Sequence, residues 1–252
     1  MRRFPANLLR FPQTSTMPTN DFGIENLAAY LHLTPLQVTR LADRGKLPGR
    51  KVAGQWRFAR AEIHHWLEER IGLSDDELVD VEGLLEAHGR GKQEEQIVLA
   101  EMLPRKAIEI PLRARTRHSV FTAMVEAAAR TGWLWDPEKM AEAVRARENL
   151  YPTTLDNGVA LLHPRRPMPG ILAQAFLALG CTASGIPFGG NRGGLTDVFF
   201  LICSVDDRGH LRTLARLSRL LSLPGFLDDL RQTSDASTAH ELIARTEAEL
   251  AD

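Results

Sequence analysis

The sequence predicts a two-domain α+β protein, and three observations carry that expectation. The chain has 252 residues, more than one domain usually holds. Its texture changes along its length. A compact, aromatic-punctuated stretch with a basic middle is followed by an acidic connector, and then by alternating strand-like and helix-like runs. With 44% hydrophobic and 25% charged residues, the composition is that of ordinary globular chains and argues against global disorder.

The expected boundaries follow from that texture. Residues 1–20, rich in Pro, Thr and Ser without periodicity, read as a loose tail. Residues 21–72 form the first unit. Residues 73–102 form a partly helical linker, with Leu78, Val81, Leu84 and Leu85 at helical spacing and Gly89 and Gly91 marking a hinge. Residues 103–252 form the second unit. The formal net charge of −1 means that any nucleic-acid surface is local. Cys181 and Cys203 are too few for a disulfide framework or a zinc cluster, and both lie in apolar runs that suit buried thiols. No apolar run approaches the roughly 20 residues of a membrane span. The basic start, Met1-Arg2-Arg3, is not followed by a signal-peptide core. The expectation is a cytoplasmic protein without membrane contact, metal or cofactor.

In the first unit, Ile24–Leu31 reads as a short amphipathic helix, with Ile24, Leu27, Ala28 and Leu31 on one face and Asp21 as a cap. Thr34-Pro35 then starts a second helix, Pro35–Arg44, which stops at Gly45 and buries Leu36, Val38 and Leu41. Two short helices around so tight a turn are the helix-turn-helix arrangement, whose second helix enters a major groove. Leu47–Phe58 reads as two strands around Ala53-Gly54, a hairpin wing, and Arg60–Leu67 as the start of a third helix. Arg40, Arg44, Lys46, Arg50, Lys51, Arg57 and Arg60 cluster with only Asp43 interleaved, enough charge to meet several phosphates. The adjacent His64 and His65 point about 100° apart on a helix and lack companion ligands, so they read as surface histidines.

The run Leu47-Pro48, Gly54-Gln55-Trp56-Arg57-Phe58, Ile63 and Trp66-Leu67 resembles the excisionase-type, MerR-related winged helix-turn-helix domain. The resemblance implies DNA binding, with Gln37, Thr39 and Arg40 near base edges and Arg44, Arg50, Lys51 and Arg57 serving the backbone and wing. One such unit offers a small footprint, so useful affinity calls for a homodimer or a partner. The same charges also suit a protein-docking face.

In the second unit, Asp156-Asn157-Gly158 is a turn leading into the short buried strand Val159–Leu162, which ends at His163. Pro164-Arg165-Arg166-Pro167 follows, so a histidine at the strand's end is held beside two cations. Rigid placement suits an imidazole nitrogen that must meet a phosphorus in line, although a histidine so placed, taken alone, reads first as structural. Arg147 lies at the end of a helix upstream. Downstream, the strand Asp197–Cys203 leads to His210, which opens the helix His210–Ser222, where a helix N-terminus would favour an anion. The glycine-rich stretch Gly185–Gly194 lacks the Gly-Lys-Ser/Thr ending of a nucleotide loop and reads as a connector between strands.

This arrangement resembles enzyme IIA of the phosphotransferase system, in its mannitol/fructose and nitrogen-regulatory class, over roughly residues 104–243. The resemblance rests on Arg147-Glu148, Asn157-Gly158-Val159-Ala160 before His163, Ile186-Pro187-Phe188 before Asp197, and His210-Leu211. Arg147 precedes His163 by 16 residues, the family's own spacing. It implies an α/β domain with a mixed central sheet flanked by helices. It also implies that His163 accepts a phosphoryl group from a histidine phosphocarrier protein, Arg147 neutralises the transferring charge and His210 hydrogen-bonds the phosphoryl oxygens. The chain departs from the family at Pro152-Thr153-Thr154, at Leu162 before the histidine, and at Asp156, an acid expected close to the anion site. The whole reads as a transcription regulator whose DNA binding answers to phosphorylation. A non-catalytic sensor with a degenerate enzyme IIA fold is the competing class.

Overall fold

The computed structural model describes residues 21–31, 33–60, 62–63, 66, 97–150, 152–189 and 194–250. The expected tail at 1–20, most of the expected linker, His64-His65 and the centre of the glycine-rich stretch lie outside the described residues.

The N-terminal unit is built as the residue pattern demands, with one strand added. β1 (Asp21–Phe22) pairs antiparallel with β3 (Gln55–Ala59), which also pairs with β2 (Arg50–Val52), giving the order β1-β3-β2. Both turn residues of the wing have positive φ, 49° at Ala53 and 78° at Gly54, as a two-residue hairpin of matching twist requires. α1 (Ile24–Leu31) buries Leu27, Ala28 and Leu31, while Ile24 is half-buried. Asp21 does not cap it: Asp21 sits in β1 and pairs with Arg50 at 2.7 Å.

α2 (Pro35–Asp43) starts on a capping box. Thr34 accepts the Gln37 backbone N–H, and the Gln37 side chain accepts the Thr34 N–H at 2.8 Å. That cap sets the helix phase so that Val38 and Ala42, four residues apart, face the core. Leu36 lies two residues from Val38, on the opposite side, and is 58% exposed, so it is not the core residue that its apolarity suggests. Phe58 and Ile63 complete the core, and the Trp66 indole N–H donates to the Lys46 carbonyl at 2.7 Å.

The C-terminal unit begins earlier than the texture of the sequence implies. α3 (Leu99–Met102), inside the stretch expected to be linker, buries Leu99. The buried Glu247 carboxylate accepts its Leu99 and Ala100 N–H groups at 2.8 and 3.0 Å. α4 (Arg117–Ala129) and α5 (Pro137–Leu150) follow the short strand β4 (Ile108–Glu109). β5 (Val159–Leu162), β6 (Phe176–Pro187) and β7 (Leu195–Cys203) complete a four-stranded sheet of order β4-β6-β7-β5. β4 runs parallel to β6 and β5 parallel to β7, while β6 and β7 form an antiparallel hairpin, so the sheet is mixed. α6 (Asp207–Ser222), α7 (Phe226–Gln232) and α8 (Ala236–Glu249) close the chain.

Strand alternation assigns the two faces. Val159, Leu161, Leu177, Leu179, Phe200 and Ile202 join the leucines of α6 and the apolar residues of α7 and α8. Ala160, Leu162, Phe176, Phe199 and Leu201 pack against Val120, Phe121 and Met124 of α4 and Met140 and Val144 of α5. Among the described residues, no helix is long and apolar enough to cross a membrane.

Candidate functional site

Parallel pairing decides where the site lies. In β5 and β7 the register runs from Val159 opposite Val198 to Leu162 opposite Leu201, so both strands end at one edge of the sheet. Such carboxyl ends are where α/β sheets place their ligands. His163 is the first residue past β5. Past β7, Ser204 and Val205 lead to Asp206, the N-cap of α6, and His210 ends the first turn of that helix. The two imidazoles meet there with centroids 4.9 Å apart and a tilt of 54°. His163 is 2% and His210 4% exposed.

Each ring is held through Nδ1. His163 Nδ1 stands 2.7 Å from the Leu161 carbonyl oxygen, which can only accept, so this nitrogen carries the proton and the lone pair sits on Nε2. His210 Nδ1 stands 3.0 Å from the Ser204 hydroxyl. The helix start is already occupied by acids. Asp206 accepts the Gly209 N–H at 2.8 Å, and Asp207 is in the first turn. The helix therefore begins before His210, and its N-terminal charge is spent on these carboxylates rather than held for an anion.

The last turn of α5 brings Glu148 within electrostatic reach of His163. Arg147 is 7% exposed and Glu148 1% exposed. The Glu148 carboxylate accepts both the backbone N–H and the hydroxyl of Thr153, and its main-chain oxygen accepts from Arg117 Nη2 at 2.7 Å. Thr153 belongs beside the histidine strand, because its carbonyl accepts the Leu161 N–H at 3.1 Å. Burial raises the Glu148 pKa above the ordinary carboxylate range, against the opposing pull of Thr153, His163 and Arg117. Arg117 stacks 5.5 Å from the Phe188 ring centroid. The sequence places Glu148 and Thr153 only in matched or departing runs and does not single out Arg117 or Ser204; it assigns none of the four a role. Only Glu148 carried a signal, as the neighbour of Arg147; the others are joined by the fold.

Asp156, expected close to the anion site, is exposed at the tip of the hairpin between residues 153 and 161. It lies beyond the opposite end of β5 from His163, about 13 Å of strand away. The turn there is clipped by Arg231, which donates to the Asn157 carbonyl at 2.7 Å and to Asp197. Arg165 and Arg166 are exposed just past His163. Burial raises the Cys181 thiol to about 12 and pushes Cys203 up as well, which suits inert core thiols.

On the N-terminal unit, Arg40, Arg44, Arg50 and Lys51 are exposed and Arg57 is half-buried. Gln37 spends its carbonyl oxygen on the cap, and Thr39 donates to the Pro35 carbonyl at 2.9 Å, so neither side chain is wholly available to a base edge. Arg40 faces solvent from the same helix. Lys51 lies 3.5 Å from Asp43 and 4.9 Å from the Trp56 ring, and Arg57 donates to Gln55. Arg60, over the rings of Phe22 and Tyr30, reaches the C-terminal unit instead and pairs with Asp207 at 2.6 Å.

The family model "Phosphoenolpyruvate-dependent sugar phosphotransferase system, EIIA 2" matches residues 101–246, and a "Helix-turn-helix domain" model matches residues 22–71. A curated relative, the PTS system fructose-specific EIIABC component of Bacillus subtilis (strain 168), is 25% identical over 125 residues. That match covers 49% of this chain and 19% of the relative, so the chain spans about a fifth of the relative's length. The nitrogen regulatory protein IIA-Ntr from Neisseria meningitidis has a similar structure, with TM-score 0.51 and 23% identity over 58% of this chain and 99% of that one. IIA mannitol from Escherichia coli is similar at TM-score 0.50 and 19% identity, over 56% and 98%. At these identities the structural likeness establishes the fold.

The raised Glu148 pKa has a consequence for stability. The folded chain binds that proton more tightly than the unfolded chain does. The stability it contributes is full below the ordinary glutamate range and is lost as pH rises through the raised value, at no more than about 1.4 kcal/mol per pH unit. Urea midpoints of Glu148→Gln relative to the wild type will therefore improve as pH rises from 4 toward neutrality. A difference that stays constant with pH contradicts this reading.

Proposed function

Because the chain belongs to the EIIA 2 family of the phosphoenolpyruvate-dependent sugar phosphotransferase system, we propose that His163 accepts a phosphoryl group from a histidine phosphocarrier protein. The fused helix-turn-helix domain binds DNA in this reading, and the protein acts as a cytoplasmic transcription regulator. The observation that carries the chemistry is the pair of adjacent imidazoles with His163 Nδ1 held by a carbonyl. The Nε2 lone pair of His163 attacks phosphorus as the P–N bond to the carrier's imidazole breaks, and that electron pair returns to the carrier. The Nδ1 proton stays in place. The imidazolium that His163 becomes is stabilised by the Leu161 carbonyl, and no net proton moves. His210 donates to the phosphoryl oxygens, and Arg147 offsets their charge.

Regulation has a physical route. Arg60, packed on two aromatic rings of the DNA-binding unit, is paired to Asp207 one turn before His210. A phosphoryl group brings nearly two negative charges, partly offset by the imidazolium it leaves on His163, so the cleft gains roughly one net negative charge. That charge acts on the same helix end that holds the DNA-binding unit, and so sets DNA affinity or partner choice.

One observation favours a second reading, a non-catalytic sensor or protein-interaction module. Both imidazoles are buried, so a protein donor reaches Nε2 only when a wall of the cleft moves. Incubation with phosphoenolpyruvate, enzyme I and the phosphocarrier separates the two. The wild type takes up an acid-labile phosphoryl label, and His163→Ala takes up none. An unlabelled wild type, or an undiminished label on the variant, overturns the catalytic reading.

DNA binding is tested by retention on duplex DNA across a salt series. Affinity falls steeply with salt, and Arg40→Ala lowers the slope of log K against log salt by about 1, the loss of one phosphate contact. Phosphorylated and unphosphorylated wild type differ in affinity, and Asp207→Asn narrows that difference. Binding that responds to neither salt nor Arg40→Ala makes the unit a protein-docking surface.

A further inference from the structure

We propose that Ser204 is a positioning residue that makes His210 a proton-adjustable donor beside the phosphoryl acceptor. The inference rests on the phosphoryl-transfer reading of the site. Ser204 is the residue that follows β7, and it is buried. It holds both sides of the histidine pair. Its hydroxyl stands 3.0 Å from His210 Nδ1, and its main-chain oxygen accepts the Met168 N–H at 3.0 Å, which fixes the loop leading away from His163.

The two rings differ in what their Nδ1 atoms meet. A carbonyl oxygen only accepts, so the Leu161 contact locks His163 into one tautomer, with its lone pair on Nε2. A serine hydroxyl both donates and accepts. Ser204 can donate to a neutral His210, whose single proton then sits on Nε2. When His210 is protonated, the hydroxyl turns and accepts from Nδ1, and Nε2 keeps its proton. In both states Nε2 carries a proton, and neither state leaves Nδ1 as an uncompensated buried polar group. The third form, neutral with its proton on Nδ1, would turn a lone pair rather than a donor toward the phosphoryl oxygens, and so would not serve the proposed transfer. As a phosphoryl group reaches His163, His210 donates to it from Nε2 in either protonation state, so the transfer itself needs no net proton movement. His163 is thereby the fixed nucleophile and His210 the adjustable donor.

The test uses the full chain, 15N-labelled at histidine, as wild type, Ser204→Ala and Ser204→Thr. Ring-nitrogen spectra are recorded across pH, with and without inorganic phosphate. The neutral wild-type His210 carries its proton on Nε2, Ser204→Thr keeps that tautomer, and Ser204→Ala shows a mixture. Phosphoryl uptake from the carrier slows about tenfold in Ser204→Ala, with an altered pH profile, and is restored in Ser204→Thr, the scale of one lost hydrogen bond. A wild-type His210 protonated on Nδ1, or one whose spectrum Ser204→Ala leaves unchanged, overturns the assignment, and the wild-type spectrum decides even where the alanine variant misfolds. A wild type that takes up no phosphoryl group at all overturns the transfer reading instead, while the ring spectra still decide the role of Ser204.

Discussion

The parallel pairing of β5 with β7 is the constraint on which the site depends. Ladder hydrogen bonds from Val159–Val198 to Leu162–Leu201 bring two strand ends to one edge of the sheet, although 40 residues separate Cys203 from His163 in the chain. The buried alternation of both strands makes a register slip costly, because a shift of one residue would turn Leu161 and Phe200 toward the wrong layer. Once the register is set, His163 follows one strand and Ser204 the other. The cap at Asp206 then fixes how far along α6 His210 stands. The imidazole pair is therefore a result of sheet topology, and neither histidine needs a long, mobile loop to find the other.

Electrostatics inside that edge is arranged around buried charge. Arg147 and Glu148 are neighbours in the last turn of α5 and both are withdrawn from water. Withdrawing a carboxylate is costly unless it is hydrogen-bonded, and the Thr153 N–H and hydroxyl, with the Arg117 guanidinium nearby, offset part of that cost. The remaining penalty appears as the raised proton affinity of Glu148. At the surface, Arg165 and Arg166 stay exposed just past the strand end.

Much of this was legible in the residues, for physical reasons that differ by element. β5 matches its expected bounds because a turn signal precedes four apolar residues and a proline follows the histidine. The wing was legible from Ala53-Gly54, since only a turn tolerant of positive φ joins such short strands. Leu36 misled because apolarity alone does not give helix phase; the cap at Thr34 and Gln37 does. Asp21 has the residue type of a cap, yet the Arg50 guanidinium, 29 residues away, holds its carboxylate instead. Asp156 looked close to His163 in sequence, but an extended strand carries its two ends apart. Arg117 with Glu148 and Ser204 with His210 join through tertiary packing, for which local patterns hold no signal.

The proposed transfer rests on one atom, Nε2 of His163. With Nδ1 of His163 held by the Leu161 carbonyl, the proposed transfer bonds phosphorus to Nε2. Long-range nitrogen–phosphorus coupling in the phosphorylated, 15N-histidine-labelled chain reads this directly. The account predicts a single phosphohistidine at His163, bonded through Nε2, with Nδ1 still protonated. Phosphorus on Nδ1 of His163, or on His210, would contradict it.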